Sequence, residues 1–274
     1  MPELPEVETV VRGLRRTVLH QIIESVYMEP PKIARRYFEG NLKSLAGDSF
    51  VHVLRRGKNI LMATDQGMTL WVHLKMTGHF YFLPKETPID RHDHLIFYFR
   101  DNGHTLRFND YRRFGNIRLI PTKELNLQKE LKELGPEPLE IPAGDFIARF
   151  RSTHRMIKPA LLDQTFLAGL GNIYADEALY LARIHPRRLT DSLSAKKLAE
   201  LHSAIIRVLR KAIDKMGTSV DSFAGVDGQP GGFQKYLKAY GREGEKCPRC
   251  GGSIRREKIG SRSAHYCPRC QKLR

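Results

Sequence analysis

The sequence predicts an α+β chain of several domains, in which an N-terminal helix and β domain are followed by a helical domain and a C-terminal zinc-pinned hairpin. Three observations carry this. Leu4, Val7, Val11, Leu14 and Val18 recur at spacings of three and four, so one apolar stripe runs down a first helix. Short runs rich in β-branched and aromatic residues then fill positions 22–120, and from residue 145 the apolar period becomes helical. All four cysteines lie in the last 28 of 274 residues.

The charge balance bounds the partners. Forty-six Lys and Arg stand against thirty Asp and Glu, a formal charge of +16 with a pI of about 9.8. Self-repulsion of that size fits a polyanionic partner, nucleic acid before membrane surface. No stretch approaches the roughly 18 apolar residues of a membrane helix. The N-terminus is acidic where a secretory signal is basic and then apolar, so an intracellular protein is expected.

The first helix starts with Pro5 in its opening turn and with Glu6 and Glu8 at the positive end of its dipole. Met1 precedes Pro2, a small residue that normally permits removal of the initiator. The chain then begins with a secondary amine beside the carboxylate of Glu3. A neutral amine attacks electrophilic carbon and forms a Schiff base. The helix dipole lowers its pKa from the usual value of about 8, and Glu3 raises it. A plain, well-capped amphipathic helix accounts for the same eight residues.

Strands are expected at 22–28, 50–55, 60–64, 68–74, 79–83, 94–99, 104–108 and 116–120, with hairpin turns at Asp65-Gln-Gly67 and Asp101-Asn-Gly103. A sandwich or flattened barrel closes such a set. Within it, Arg55-Arg56-Gly57-Lys58 sits at a bend between strands, where Lys58 is either a phosphate or active-site lysine or a solvated edge charge. His73, His92 and His94 are each compatible with a structural role. In Asn109-Asp-Tyr-Arg-Arg-Phe-Gly115, Arg112 and Phe114 suit a wedge driven into a base stack. A hairpin tip with Phe114 folded onto the core fits equally.

Residues 121–144 carry four prolines and five glutamates and read as an interdomain connection with a short helix around 125–134. Helices are expected at 146–150, 160–167, 173–181 and 195–216, the last capped by Ser194 and ended by Gly217. The turn Ala168-Gly-Leu-Gly-Asn172 opens a helix whose amides, with Asn172, suit a backbone phosphate, although an ordinary helical hairpin explains it as well. Residues 217–234, rich in glycine, form a loop that is either a lid over an extruded base or a plain linker.

Cys247-Pro-Arg-Cys250 and Cys267-Pro-Arg-Cys270 are two identical pairs sixteen residues apart. Each brings two thiolates to one side of a tight turn, and together they complete a tetrahedral site for one structural zinc. A reducing compartment disfavours the alternative of two disulfides. Between the pairs, 254–258 and 263–267 are expected to pair as a hairpin with Gly260-Ser-Arg262 at its tip.

The order of these motifs along the whole chain, from Pro-Glu-Leu-Pro-Glu through Arg-Arg-Gly-Lys, Asp-Tyr-Arg-Arg-Phe-Gly, Leu-Gly-Pro-Glu-Pro and Gly-Leu-Gly-Asn-Ile-Tyr to the four-cysteine finger, resembles the bacterial formamidopyrimidine-DNA glycosylase family. The resemblance implies an N-terminal helix and β-sandwich domain over 1–120, a connection over 121–144, a helix-two-turns-helix domain over 145–234 with the mobile loop 217–234, and a zinc finger over 235–274. It implies a bifunctional repair enzyme that excises 8-oxoguanine and formamidopyrimidines from duplex DNA and then cuts the strand by β,δ-elimination. Pro2 is then the nucleophile, Glu3 the acid/base at the sugar, Lys58 the helper of β-elimination and Arg262 that of δ-elimination. His73 and Asn172 match phosphate contacts, His92 and Lys158 match DNA-contacting positions, and Met76, Arg112 and Phe114 match the residues that fill the gap of the flipped base. Glu6, Thr218 and Ser222 match the lesion pocket. The implied partner is duplex DNA with oxidised purines or abasic sites, bound by a monomer in the bacterial cytoplasm, at the nucleoid. Thr77, Met216 and Asp221 depart from residues common in the family, at positions where the lesion is read. An endonuclease VIII-like enzyme for oxidised pyrimidines is the nearest alternative; Leu4, Arg112 and Phe114 argue against it. A non-catalytic zinc-finger protein that binds DNA damage is another alternative, and it has no need of a free Pro2, Glu3 or Lys58.

Overall fold

The structure, a computed structural model, describes residues 1–28, 38–219 and 223–273. By its contacts the chain divides into two units, Met1–Lys132 with Lys215–Gly232, and Glu133–Asp214 with Phe233–Arg274. The glycine-rich loop was expected with the helical domain; its larger part, up to Gly232, groups with the N-terminal unit instead. Among the described residues no helix is long and apolar enough to cross a membrane.

In the first unit, helix α1 (Leu4–Thr17) starts where its sequence signals place it. Glu3 has extended backbone at the N-cap, and Glu6 closes a capping box by accepting the Glu3 backbone N–H at 2.8 Å. The stripe Val7, Val11, Leu14 and Val18 is fully buried. All eight expected strands form, each within one residue at either end: β1 (Ile23–Met28), then, after the short β2 (Phe38–Glu39), β3 (Phe50–Arg56), β4 (Asn59–Thr64), β5 (Met68–His73), β6 (His79–Pro84), β7 (Asp93–Phe99), β8 (His104–Asn109) and β9 (Asn116–Pro121). β2 is unanticipated. It is two residues long and pairs parallel with β9, too short to carry a pattern.

The strands close as a sandwich of two sheets, ordered β1-β7-β8-β6 and β2-β9-β5-β4-β3. Phe50 of one sheet meets Phe97 of the other edge-on at 5.7 Å, and the α1 stripe joins the same core. α1 runs antiparallel to β3: the Arg55 Nε donates to Glu8 at 3.1 Å, and the Arg15 Nε donates to the Val53 carbonyl at 2.7 Å. The start of the helix therefore lies at the Arg55–Lys58 end of the sheet. Register brings more to that end, since His73 pairs with Asn59 and Asn116, while His79, Asp93 and Asn109 align in the other sheet.

The helix expected around 125–134 is instead a 3-10 segment, Thr122–Leu127, and one turn, α2 (Lys129–Lys132). In the second unit come α3 (Ala143–Arg151), α4 (Ile157–Leu162), α5 (Asn172–Leu181) and α6 (Ala195–Asp214). α4 replaces the expected 160–167. Pro159 falls in its first turn, where a missing N–H costs nothing, and Asp163 ends it by accepting the Thr165 N–H at 3.0 Å and the Thr165 hydroxyl at 2.7 Å. Ser194 caps α6 through the Lys197 N–H at 3.2 Å. That helix stops at Asp214, before the expected 216, because Met216 and Gly217 are left-handed at φ 58 and 79. β10 (Arg255–Ile259) and β11 (Arg262–Tyr266) form the C-terminal hairpin, shifted by about one residue from the expected pairing.

Candidate active site and metal centre

At the start of α1, Pro2 is buried and Glu3 is only 3 % exposed. Glu6, equally buried, has both carboxylate oxygens engaged by backbone amides: Oε2 takes the Glu3 N–H, and Oε1 takes the Thr218 N–H at 2.7 Å. Glu6 and Thr218, two of the three expected pocket residues, are thus in contact, and Ser222 lies outside the described residues, as does Asp221. Between them Gly217 is obligatory. Its φ is +79, and a Cβ there would come to 2.7 Å from Glu6 Oε1.

Gly57 and Lys58 make the two-residue turn between β3 and β4, and Lys58 is 5 % exposed. Its neighbour Asn59 is fixed by the Trp71 indole N–H at 2.9 Å, and Arg55 spans Glu8 and the Gly57 carbonyl at 3.1 Å each. Across the β4–β5 pairing stands His73, whose Nδ1 accepts the Lys75 N–H at 3.0 Å. The proton of the neutral ring is therefore on Nε2, as a donor. Burial, with the nearby charges of Lys75 and Lys58, pushes its pKa from 6.5 to about 3. His73 is a neutral donor throughout the physiological range.

The loop after β8 presents its tip outward. Phe114 is 51 % exposed, so it does not fold back on the core, and the Arg112 guanidinium stacks on its ring at 4.5 Å. Tyr111 is exposed too, and Met76 is 37 % exposed on the turn after β5. His92 packs edge-on to Tyr111 at 6.4 Å, and its Nε2 accepts from Arg91 at 3.2 Å.

In the second unit, the turn before α5 is stapled by Gln164, whose side chain donates to the Leu162 and Leu170 carbonyls and accepts the Gly169 N–H at 2.9 Å. The Leu134-Gly-Pro136 motif packs onto it, with Gly135 N–H donating to the Gln164 carbonyl at 2.9 Å. Asn172 opens α5, and its Oδ1 is buried with no hydrogen-bond partner among the described residues. Lys158 requires a correction. Expected to contact DNA, it is 0 % exposed, and its ammonium is held by Asp176 at 2.5 Å and by the Ser263 carbonyl. Asp176 also accepts the His265 N–H at 2.8 Å and meets the His265 ring nitrogen at 3.1 Å. Lys158 therefore joins α4 and α5 to the hairpin and does not reach solvent. Arg262 is exposed, opposite Ile259 at the tip of that hairpin.

Gln164, Asp176 and the neighbouring Glu177, which takes the amide N–H groups of Lys238, Ala239 and Tyr240 at 2.8 to 3.0 Å, were not anticipated. Burial raises the Glu177 pKa against those hydrogen bonds. Neither was Asp110, although an Asp opening a turn that a Gly closes is a readable signal.

The four cysteines are free thiols whose sulfurs all lie within 4.8 Å of one another. Tetrahedral zinc with Zn–S near 2.3 Å requires sulfurs about 3.8 Å apart, and Cys247–Cys270 and Cys250–Cys267 stand at 3.9 and 3.5 Å. The donor set fits one structural zinc ion. Around it the Tyr180 hydroxyl meets Cys247 Sγ at 3.4 Å, and Arg249 stacks on the Tyr180 ring, so the metal loop is anchored to α5.

Residues 1–117 match the formamidopyrimidine-DNA glycosylase N-terminal domain, 134–224 the H2TH domain of the same enzyme, and 244–273 the zinc finger found in FPG and IleRS. The chain belongs to the formamidopyrimidine-DNA glycosylase family. Among full-length glycosylase relatives, that of Pelotomaculum thermopropionicum is 46% identical and that of Lactiplantibacillus plantarum 42%, each aligned over 100% of both chains. A glycosylase structure from Lactococcus lactis, a point mutant in complex with Fapy-dG-containing DNA, superposes with a TM-score of 0.90 at 38% identity, covering 99% of this chain and 100% of that one. MutM with DNA containing carbocyclic 8-oxo-G superposes at 0.89, with the same identity and coverage. Against the family pattern, the departing Met216 is exposed and left-handed, and Thr77 is buried.

Proposed function

We propose that this glycosylase and AP lyase removes oxidised purines from duplex DNA through a Schiff base on Pro2, once Met1 has been cleaved. The observation that carries the reading is the convergence at one end of the sandwich. The antiparallel seating of α1 on β3 sets Pro2 and Glu3 at the end that also bears Lys58, His73 and the exposed Met76 and Arg112–Phe114 tips. Full-length relatives named as formamidopyrimidine-DNA glycosylases favour this reading over an endonuclease VIII-like enzyme or a non-catalytic damage sensor.

In this scheme the Pro2 nitrogen attacks C1′ of the damaged nucleotide while the glycosidic bond breaks and the base leaves. Glu3 handles the proton at the sugar oxygen as the ring opens to an iminium. The iminium is an electron sink, so the C2′ proton becomes acidic and the 3′ phosphate departs by β-elimination, assisted by Lys58. Arg262 assists loss of the 5′ phosphate in the δ step. His73 and Asn172 bind backbone phosphates; His92, Met76, Arg112 and Phe114 contact the duplex, the last three filling the gap. Glu6 and Thr218 shape the lesion pocket together with Ser222. Extrusion costs a few kcal/mol of unstacking, which wedge and phosphate contacts offset. The domain limits given above, a monomeric state and a place in the bacterial cytoplasm belong to the same reading.

Borohydride trapping tests it on protein whose mature N-terminus has been verified by intact mass. The expected result is a covalent complex with duplex DNA containing 8-oxoguanine opposite cytosine, lost in Pro2→Gly. No adduct with the processed wild type, or an undiminished one with Pro2→Gly, contradicts the proposal.

A further inference from the structure

Asp110 is 1 % exposed, and the contacts around it join two separate exposed tips. Its Oδ2 accepts the Gly115 N–H at 2.6 Å and its Oδ1 the Arg112 N–H at 3.2 Å, so one carboxylate spans both ends of the Arg112–Phe114 segment. The Arg113 N–H closes the turn on the Asp110 carbonyl at 3.0 Å, with Arg113 in left-handed backbone at φ 56. Gly115 leaves no alternative path, because a Cβ there would meet Phe108 Cζ at 2.5 Å. Asp110 Oδ1 also takes the hydroxyl of Thr77, the residue next to Met76 and 33 positions away in sequence. Both ends of this link are anchored in turn. His94 Nε2 meets the Asp110 carbonyl at 2.9 Å, and His79 Nδ1 meets the Thr77 carbonyl at 2.7 Å. Thr77, His79 and His94 are all buried.

We propose that Thr77 and Asp110 are positioning residues that lock the Met76 turn and the Arg112–Phe114 loop into one rigid wedge. Phe114 and Met76 both project into solvent, and the cation–π stack of Arg112 on Phe114 orders only one tip. A shared buried carboxylate fixes the separation of the two tips before DNA arrives, so insertion does not have to order them. A hydroxyl at position 77 is sufficient for this link, and it gives the family-departing Thr77 a function within the wedge that is distinct from reading the lesion. The inference rests on the glycosylase reading above and concerns the step that extrudes the base, not the chemistry at Pro2.

Thr77→Val keeps the shape and removes the hydroxyl, whereas Thr77→Ser keeps the hydroxyl. Each is compared with wild type on two duplexes, one with 8-oxoguanine opposite cytosine and one with a preformed abasic site, which has no base to extrude. Insertion is followed by stopped-flow fluorescence of 2-aminopurine placed beside the lesion. Thr77→Val is expected to lower kcat/KM for 8-oxoguanine about 10- to 100-fold and to slow the fluorescence phase in parallel, with strand cleavage at the abasic site within about twofold of wild type. Thr77→Ser should restore both readouts, and Asp110→Asn should repeat the Thr77→Val pattern if its thermal midpoint is preserved. Equal loss on both duplexes, an unchanged fluorescence phase or wild-type excision by Thr77→Val would overturn the proposal. Wild-type protein inactive on both duplexes would instead refute the glycosylase reading.

Discussion

Two buried carboxylates, one in each unit, are satisfied in opposite ways. At the working end of the first, Asp110 is satisfied by amides and a hydroxyl, and His73 is held neutral. In the second, Asp176 faces the ammonium of Lys158, with both side chains essentially without solvent contact. Neutral partners let the first unit hold exposed tips rigidly beside a polyanion without drawing its surface cations into the support of those tips. A charged pair serves the second unit because its task is to join α4, α5 and the zinc hairpin, and a buried ion pair is costly to break. The contrast teaches that a buried carboxylate is not one device. Its partners decide whether it supports a surface or a joint.

The largest effect is expected at the joint. Asp176→Ala takes the carboxylate away from the buried Lys158 ammonium, and removing one partner of such a pair costs about 3 to 5 kcal/mol. Urea unfolding of the zinc-loaded protein should show that loss in the transition of the second unit, and a loss below about 1 kcal/mol would remove the distinction between Asp176 and Asp110.

An intermediate effect is expected at His73. The folded pKa of about 3 lies below the unfolded value of 6.5, so the unfolded chain binds a proton that the folded chain refuses. Its contribution is complete above pH 6.5 and falls as the pH drops toward 3. At pH 5 the loss is about 2 kcal/mol relative to pH 7. His73→Gln should flatten the change in the urea midpoint between those two pH values. An unchanged slope would mean that the ring is not held neutral.

The smallest effect on stability is expected at the tip. Phe114→Ala removes a ring that is half exposed, so the thermal midpoint should reflect no more than about 0.5 kcal/mol, while excision of 8-oxoguanine from duplex DNA falls at least about tenfold. A large stability loss with intact excision would assign Phe114 to the core after all.

What sequence alone determined was everything set by local period and local chemistry. Alternation fixed eight strands, the 3.6-residue stripe fixed α1 and α6, and two Cys-Pro-Arg-Cys turns fixed the zinc site, because each signal is complete within a few residues. The motifs that the proposed chemistry uses, from the Pro2 terminus to Lys58 and the Arg112–Phe114 loop, were legible as motifs, and the fold brings them to one end of the sandwich. Where reading failed, the deciding partner was distant. Helix α4 is the exception, running Ile157–Leu162 where 160–167 was expected, for the local reasons that Pro159 fits its first turn and Asp163 ends it. Lys158 read as a DNA contact, and only the fold shows that Asp176, 18 residues on, and Ser263, 105 residues on, enclose it. The Thr77–Asp110 link spans 33 residues and the Glu6–Thr218 contact 212. Periodicity records which face of an element is buried. It carries no information on which buried polar atom meets which, since that depends on how elements far apart in the chain come to rest side by side.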